Sequence, residues 1–206
     1  MIKKIIFDID NTILDTYKDC IETYEEYIYD NQLNIKAQDI YDMFEEYEVS
    51  NGNYLKDDLI KFISNKYGIS YKEDELNNLL DLYSNHSTLI NENTINILQY
   101  LSSKYDVVAL TNWYKDIQYK RLENVDVGKY FIKVYGIEDG KKPDAKAFKN
   151  AVGNNLYSEC VMIGDSLNSD INVAKELGMK TIYYNKNCKN NHENEINNLD
   201  ELLNIL

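Results

Sequence analysis

Residues 3–10, KKIIFDID, place an apolar run directly before two acidic residues. A buried parallel strand ends in this way at its carboxyl edge, because such strands are apolar on both faces within the sheet. Other short runs rich in β-branched or aromatic residues also predict strands. They are DVVALT (106–111), FIKVYG (131–136), CVMIGD (160–165) and KTIYY (180–184).

Helical patterns lie between several of these strands. Residues 91–105 carry an apolar stripe, residues 143–152 open with Pro143 at a predicted first helical position, and residues 169–178 end at Gly178. Strands that alternate with helices predict an α/β fold, a doubly wound parallel sheet. The ligand crevice of such a sheet lies beyond the carboxyl ends of its strands.

Residues 15–90 have a different character. They contain at least four amphipathic segments, near 16–31, 37–48, 54–67 and 72–84, with a predicted turn at Asn51–Gly52. They also hold 17 acidic against 6 basic residues. We therefore expect two domains, an α/β core from residues 1–14 and 91–206 and an inserted helical lobe from residues 15–90, placed to act as a lid.

Composition narrows the classes of function. The net charge of −13 argues against binding to a nucleic-acid polymer, which needs a basic surface, and favours small-molecule substrates. The start of the chain reaches acidic residues after a short apolar run, so we expect no signal peptide, no membrane span and a cytoplasmic protein. Cys20, Cys160 and Cys188 have no paired spacing and are interpreted as free thiols.

Polar residues follow each predicted core strand. Asp8 and Asp10 end the first, Thr111 and Asn112 end the second, and Lys142 follows the third. Asp8 and Asp10 would point oppositely along an unbent strand, so we expect the backbone to turn at Asn11–Thr12.

The fourth core strand adds Asp165 and Asp170, in GDSLNSD. The edge of the sheet would then carry four carboxylates beside one lysine, which is a repulsive arrangement unless a divalent cation is bound. Oxygen ligands without His or Cys favour Mg²⁺ over zinc.

The ordered motifs FDIDNTILD, VVALTN, GKKPDAKAF and VMIGDSLNSD resemble those of the haloacid dehalogenase superfamily, in its phosphatase branch with a helical cap inserted after the first motif. The resemblance covers the whole chain. It implies a Rossmann-like core, Mg²⁺ as cofactor and hydrolysis of a phosphate monoester. One departure is Asn11, where many members have Gly, which bears on the tightness of the turn.

The resemblance also implies roles for the first two motifs. Asp8 would be the nucleophile that forms an aspartyl-phosphate. Asp10 would be the general acid and then the general base, with its backbone carbonyl on the metal. Thr111 and Asn112 would donate hydrogen bonds to the phosphoryl oxygens.

In the remaining motifs Lys142, preferred over Lys141 because it immediately precedes the proline, would balance the charge of the nucleophile. Asp165 would bind Mg²⁺ directly, and Asp170 would hold a metal-bound water or the Lys142 ammonium.

The presence of Asp10 favours phosphate chemistry over carbon–halogen cleavage, because the dehalogenating branch lacks a proton-shuttling residue at this position. Trp113, after the second motif, and Tyr17, after the first, are candidate substrate contacts. The predicted substrate is a nucleotide or sugar phosphate, and the protein is expected to be a monomer or homodimer. Phosphoryl transfer by a phosphosugar mutase, and a catalytically silent binding protein, are the alternatives.

Overall fold

A computed structural model of the chain describes residues 1–51, 55–187, 192 and 194–206. By its internal contacts the chain divides into two compact units, Met1–Leu14 with Leu89–Leu206, and Asp15–Thr88. The predicted turn at Asn51–Gly52 extends beyond the described residues, and Cys188 lies outside them. Cys20 and Cys160 are buried and are not joined in a disulfide bond.

The first unit is built on a six-stranded parallel sheet in the order β3-β2-β1-β4-β5-β6, which confirms the predicted α/β fold. Its strands are β1 (Lys4–Phe7), β2 (Asp106–Leu110), β3 (Lys133–Tyr135), β4 (Cys160–Gly164), β5 (Lys180–Tyr184) and β6 (Glu195–Ile196). The short β6 falls in a segment whose polar sequence gives little strand signal.

The second unit is helical throughout its regular elements. Its helices are α1 (Thr16–Asp30), α2 (Ala37–Asn51), α3 (Lys56–Tyr67) and α4 (Glu73–Asn85), at the four segments predicted from periodicity. Tyr24 stacks on Phe44 with ring centroids 5.7 Å apart, and Asp19, buried in α1, accepts hydrogen bonds from the backbone and hydroxyl of Thr88. Tyr47, Leu59 and Leu76, which lie on α2, α3 and α4, are fully buried.

Helices of the first unit cover both faces of the sheet. They are α5 (Glu92–Ser102), α6 (Lys115–Asn124), α7 (Ala145–Val152), α8 (Asn172–Glu176) and α9 (Leu202–Ile205). Side chains alternate along β1, so that Ile5 and Phe7 pack with residues of α5, α6 and α9, whereas Ile6 packs with residues of α7 and α8. This two-sided burial explains why the strands read as continuous apolar runs.

Three details differ from the prediction. α7 begins at Ala145, so Pro143 precedes the helix and is not its first residue. The segment predicted as one helix over 169–178 is a π-helical turn at Leu167–Ile171 followed by the short α8. α6 was not among the predicted helices, because its buried face includes Gln118 and Arg121, which break the apolar periodicity.

Register brings the strand ends together. Phe7 at the end of β1 lies beside Ala109 of β2 and Ile163 of β4. The residues that follow these strands, beginning with Asp8, Thr111 and Asp165, therefore emerge at one edge of the sheet.

Candidate active site

The chain turns sharply after β1. The carbonyl of Ile9 accepts hydrogen bonds from the backbone N–H groups of Thr12, Ile13 and Leu14, at 3.3, 2.9 and 3.0 Å. Asn11 has φ +58°, in the left-handed region that Asn tolerates better than most residues, so it closes the turn without a glycine.

Lys142 connects two of the predicted acids. Its ammonium donates to Asp8 Oδ1 and to Asp170 Oδ1, both at 2.6 Å, and it is only 3% exposed. Burial disfavours the ammonium charge, but Asp170 and Asp8 outweigh that effect and raise the pKa of Lys142. The lysine is therefore a permanent cation at this edge of the sheet.

The loop after β4 supplies the other acids. Carboxylate oxygens of Asp8, Asp165 and Asp170 all lie within 4.8 Å of one another. Asp170 Oδ2 also accepts from the backbone N–H of Ser166 at 3.1 Å. A Cβ added to Gly164 would come within 2.3 Å of Asp170 Oδ2, so the carboxylate occupies space that only a glycine leaves open.

The cluster is short of positive charge. Burial raises the pKa of Asp8 well above its usual range; Lys142 opposes this, and Asp170, Asp165 and Asp10 add to it. Burial likewise raises the pKa of Asp165 to about 6, with Asp170 contributing in the same direction. One lysine does not offset three clustered carboxylates, and an all-oxygen donor set of this kind fits a hard divalent cation such as Mg²⁺.

Asp10 lies in the same neighbourhood but faces a different set of partners. Its Oδ1 accepts from Arg121 Nη1 at 3.0 Å, and its Oδ2 accepts from Gln118 Nε2 at 2.5 Å and from the Thr111 hydroxyl at 3.2 Å. Asp10 is thus outside the three-carboxylate cluster, although its charge acts on both Asp8 and Asp165.

Two of the predicted phosphate contacts have other partners in this structure. The Thr111 hydroxyl donates to Asp10, as above, and accepts from the backbone N–H of Trp113 at 3.1 Å. Asn112 accepts from the backbone N–H of Lys142 at 2.7 Å and donates to its carbonyl at 3.0 Å. An amide side chain matches one residue's N–H and C=O in this way, so Asn112 fixes the backbone that carries Lys142.

The two candidate substrate contacts lie in different units. Trp113 is half-buried beside Tyr114, with ring centroids 5.3 Å apart, and its carbonyl accepts from the backbone N–H of Ile137 at 3.0 Å. Tyr17, in α1, is half exposed; its hydroxyl donates to Gln38 at 2.7 Å and its ring packs edge-on against Tyr41.

Gln118 and Arg121 were not recognised from the sequence. A signal was nevertheless present, because Arg121 is the only arginine of the chain and lies one helical turn after Gln118, in the segment that follows β2.

A family model described as haloacid dehalogenase-like hydrolase matches residues 5–184. A glyceraldehyde 3-phosphate phosphatase of Pyrococcus furiosus is 26% identical over 202 residues, covering 89% of this chain and 80% of the relative.

Two solved structures have similar folds. The HAD phosphatase of Thermococcus onnurineus is 27% identical with a TM-score of 0.71, covering 99% of this chain and 97% of that one. The putative HAD-hydrolase YfnB of Bacillus subtilis, a structure bound to magnesium, has a TM-score of 0.77 at 22% identity, with 99% and 98% covered. Among the described residues, no helix is long and apolar enough to cross a membrane.

Proposed function

We propose that this chain, which belongs to the haloacid dehalogenase-like hydrolase family, hydrolyses small organic phosphate monoesters with Mg²⁺ as its cofactor. The observation that carries the proposal is the buried Asp8 carboxylate, held by Lys142 and clustered with Asp165 and Asp170. The phosphatase names of the relatives, at 26–27% identity, support the same chemistry.

Asp8 is the proposed nucleophile. Its Oδ1 is held by Lys142 at 2.6 Å, whereas its Oδ2 accepts a longer hydrogen bond, at 3.4 Å, from the Thr12 hydroxyl. Oδ2 would attack phosphorus as the bond from phosphorus to the ester oxygen breaks, giving an aspartyl-phosphate. The Lys142 ammonium offsets negative charge that develops on the transferring group.

Asp10 is the proposed proton carrier. In the first step it gives a proton to the departing alcohol oxygen. In the second step it takes a proton from water, whose oxygen attacks phosphorus and releases inorganic phosphate together with the regenerated Asp8 carboxylate. Both steps balance in atoms and charge with no further reactant than water.

Asp8, Asp165 and the backbone carbonyl of Asp10 would hold the Mg²⁺, and Asp170 would hold a metal-bound water or, as the structure has it, the Lys142 ammonium. When bound, a divalent cation neutralises charge on the phosphoryl oxygens and on the nucleophile. The chain's own residues would keep the Asp8 and Asp165 carboxylates close enough to bind the ion together, with Asp170 beside them.

The proposed substrates are nucleotide or sugar phosphates. Relatives named glyceraldehyde 3-phosphate phosphatase support a small phosphorylated metabolite. Our proposed substrate contacts are the Thr111 hydroxyl and Trp113 on the core unit, and Tyr17 on residues 15–90, the proposed cap. Asn112 is proposed to act mainly through Lys142.

The test compares phosphate release by wild-type protein and by Asp8→Asn, with an aryl phosphate and a panel of sugar and nucleotide monophosphates. The matched control is Asp106→Asn, the same change at an exposed residue at the amino end of β2. We expect Mg²⁺-dependent release by wild type and control, loss in EDTA, and loss in Asp8→Asn with a cooperative fold retained.

Full turnover by Asp8→Asn would overturn the proposal. Isomerised sugar phosphate without free phosphate would indicate a mutase instead, and inactivity of the wild type on every ester would indicate a binding protein.

A further inference from the structure

The carboxylate of Asp10 is held on both oxygens by α6. Arg121 contacts Oδ1 at 3.0 Å and Gln118 contacts Oδ2 at 2.5 Å. The two are also joined to each other, because Arg121 Nη1 donates to Gln118 Oε1 at 2.7 Å. The Asp10 carboxylate therefore meets two linked donors of α6, in addition to the Thr111 hydroxyl.

Burial makes this arrangement costly. Arg121 and Gln118 are both 0% exposed, whereas the Asp10 side chain is 27% exposed. A buried ion pair often stabilises a fold no more than a well-packed apolar pair of similar volume. Leucine or methionine at these two positions would complete the apolar stripe of α6 against the sheet, so the polar pair points to a local purpose.

We infer that Arg121 and Gln118 are positioning residues, which hold the Asp10 side chain in place so that its protonated carboxyl group can pass a proton to the leaving oxygen in the first step and the resulting carboxylate can take one from water in the second. The inference rests on the proposed function, in which Asp10 is the acid and base. A general acid must lie within about 2.6–3.2 Å of the oxygen that it protonates. Asp10 lies within the tight turn after β1, where rotation about its own side-chain bonds would move its carboxyl group out of reach. Arg121 and Gln118 prevent that rotation.

The prediction is selective for the leaving group. The leaving group of an aryl phosphate departs as a stable phenolate and needs little proton transfer. The leaving group of an alkyl phosphate is a poorly stabilised alkoxide, so it needs a proton from Asp10. kcat/KM reports the steps up to aspartyl-phosphate formation, so loss of positioning should lower kcat/KM for the alkyl ester about tenfold more than for the aryl ester. A residue needed only for folding would lower both by the same factor.

The experiment measures kcat/KM for p-nitrophenyl phosphate and for an alkyl phosphate taken from the active substrates. The variants are Arg121→Met and Gln118→Met. Gln118→Met keeps the net charge, so it provides the test if Arg121→Met does not fold. Arg121→Lys should recover part of the alkyl activity. The control is Lys120→Met, a lost charge at an exposed position next to Arg121 on the same helix.

A further variant places Arg121→Met on an Asp10→Asn background, where it should produce no additional alkyl-selective loss. Equal losses on both esters in Arg121→Met and Gln118→Met would overturn the positioning role while leaving the phosphatase proposal standing. If the wild type turned over neither ester, the proposed function itself would be rejected, so the two failures are distinguishable.

Discussion

Replacing Lys142 by methionine should destabilise the metal-free protein strongly. The ammonium contacts Asp8 and Asp170 at 2.6 Å each, and its removal leaves both carboxylates buried with Asp165 nearby. Removing one partner of a buried ion pair costs about 3–5 kcal/mol. The lower end applies if Asp8 takes up a proton, which its raised pKa favours.

Urea unfolding in EDTA near neutral pH, followed by far-UV circular dichroism, measures this loss. With a slope of about 2–3 kcal/mol per M, the midpoint should fall by about 1–2.5 M. The control is Lys141→Met, which removes the same charge one residue earlier, at a half-exposed position, and should change stability by about 0.5 kcal/mol or less.

A second variant tests the cause. Adding Asp8→Asn to Lys142→Met removes one of the stranded charges, so the double variant should be more stable than Lys142→Met alone. Equal midpoints for Lys142→Met and Lys141→Met would refute the claim that Lys142 neutralises a buried acidic cluster.

Three further outcomes are expected. Because the pKa of Asp165 is raised to about 6, protons compete with Mg²⁺ below that pH, whereas above it the metal-free fold carries an uncompensated negative charge. The rise in Tm on adding Mg²⁺ should therefore grow from about pH 5 to about pH 7.5. A rise in Tm that does not depend on pH would contradict this. Gly164→Ala should displace the Asp170 carboxylate, which a Cβ at this position would crowd. We expect weaker Mg²⁺ binding, measured by calorimetry, and a free energy of unfolding lower by about 1–3 kcal/mol. Unchanged Mg²⁺ binding would count against this contact. Lys4, buried in β1, donates at 3.0 Å to the carbonyls of Ala151 and Val152 at the end of α7. Lys4→Met should lower the free energy of unfolding in urea by about 1–3 kcal/mol and leave kcat unchanged. A fall in kcat at unchanged stability would argue against a purely structural contact.

The sheet could be predicted from the sequence because its strands are buried on both faces. Ile5, Ile6 and Phe7 are all fully buried, so β1 appears as an unbroken apolar run followed at once by Asp8. The rule that ligand crevices form at the carboxyl edge then places Asp8 and Asp165 near each other without any knowledge of the register. The ends of strands and helices were predicted less accurately, as at the start of α7, because capping depends on local backbone geometry.

The polar support of Asp10 could not be predicted in the same way. Hydrophobic periodicity locates a helix by its apolar stripe, and α6 buries Gln118 and Arg121 where that stripe would be. The alternative partners of Asn112 and Thr111 likewise depend on distances between loops that are far apart in sequence. Such contacts arise from the tertiary structure, and hydrophobic periodicity does not report them; for Asp10 the sequence offers only the single arginine one helical turn after Gln118.

The central claim is that Asp8 carries the phosphoryl group. Rapid acid quenching during turnover of a phosphate monoester with Mg²⁺, followed by peptide mass spectrometry, measures this directly. We predict a phosphoryl group on the peptide that contains Asp8, absent without substrate and absent in Asp8→Asn. Steady turnover with no phosphoryl group on Asp8, maintained at the wild-type rate in Asp8→Asn, would contradict it.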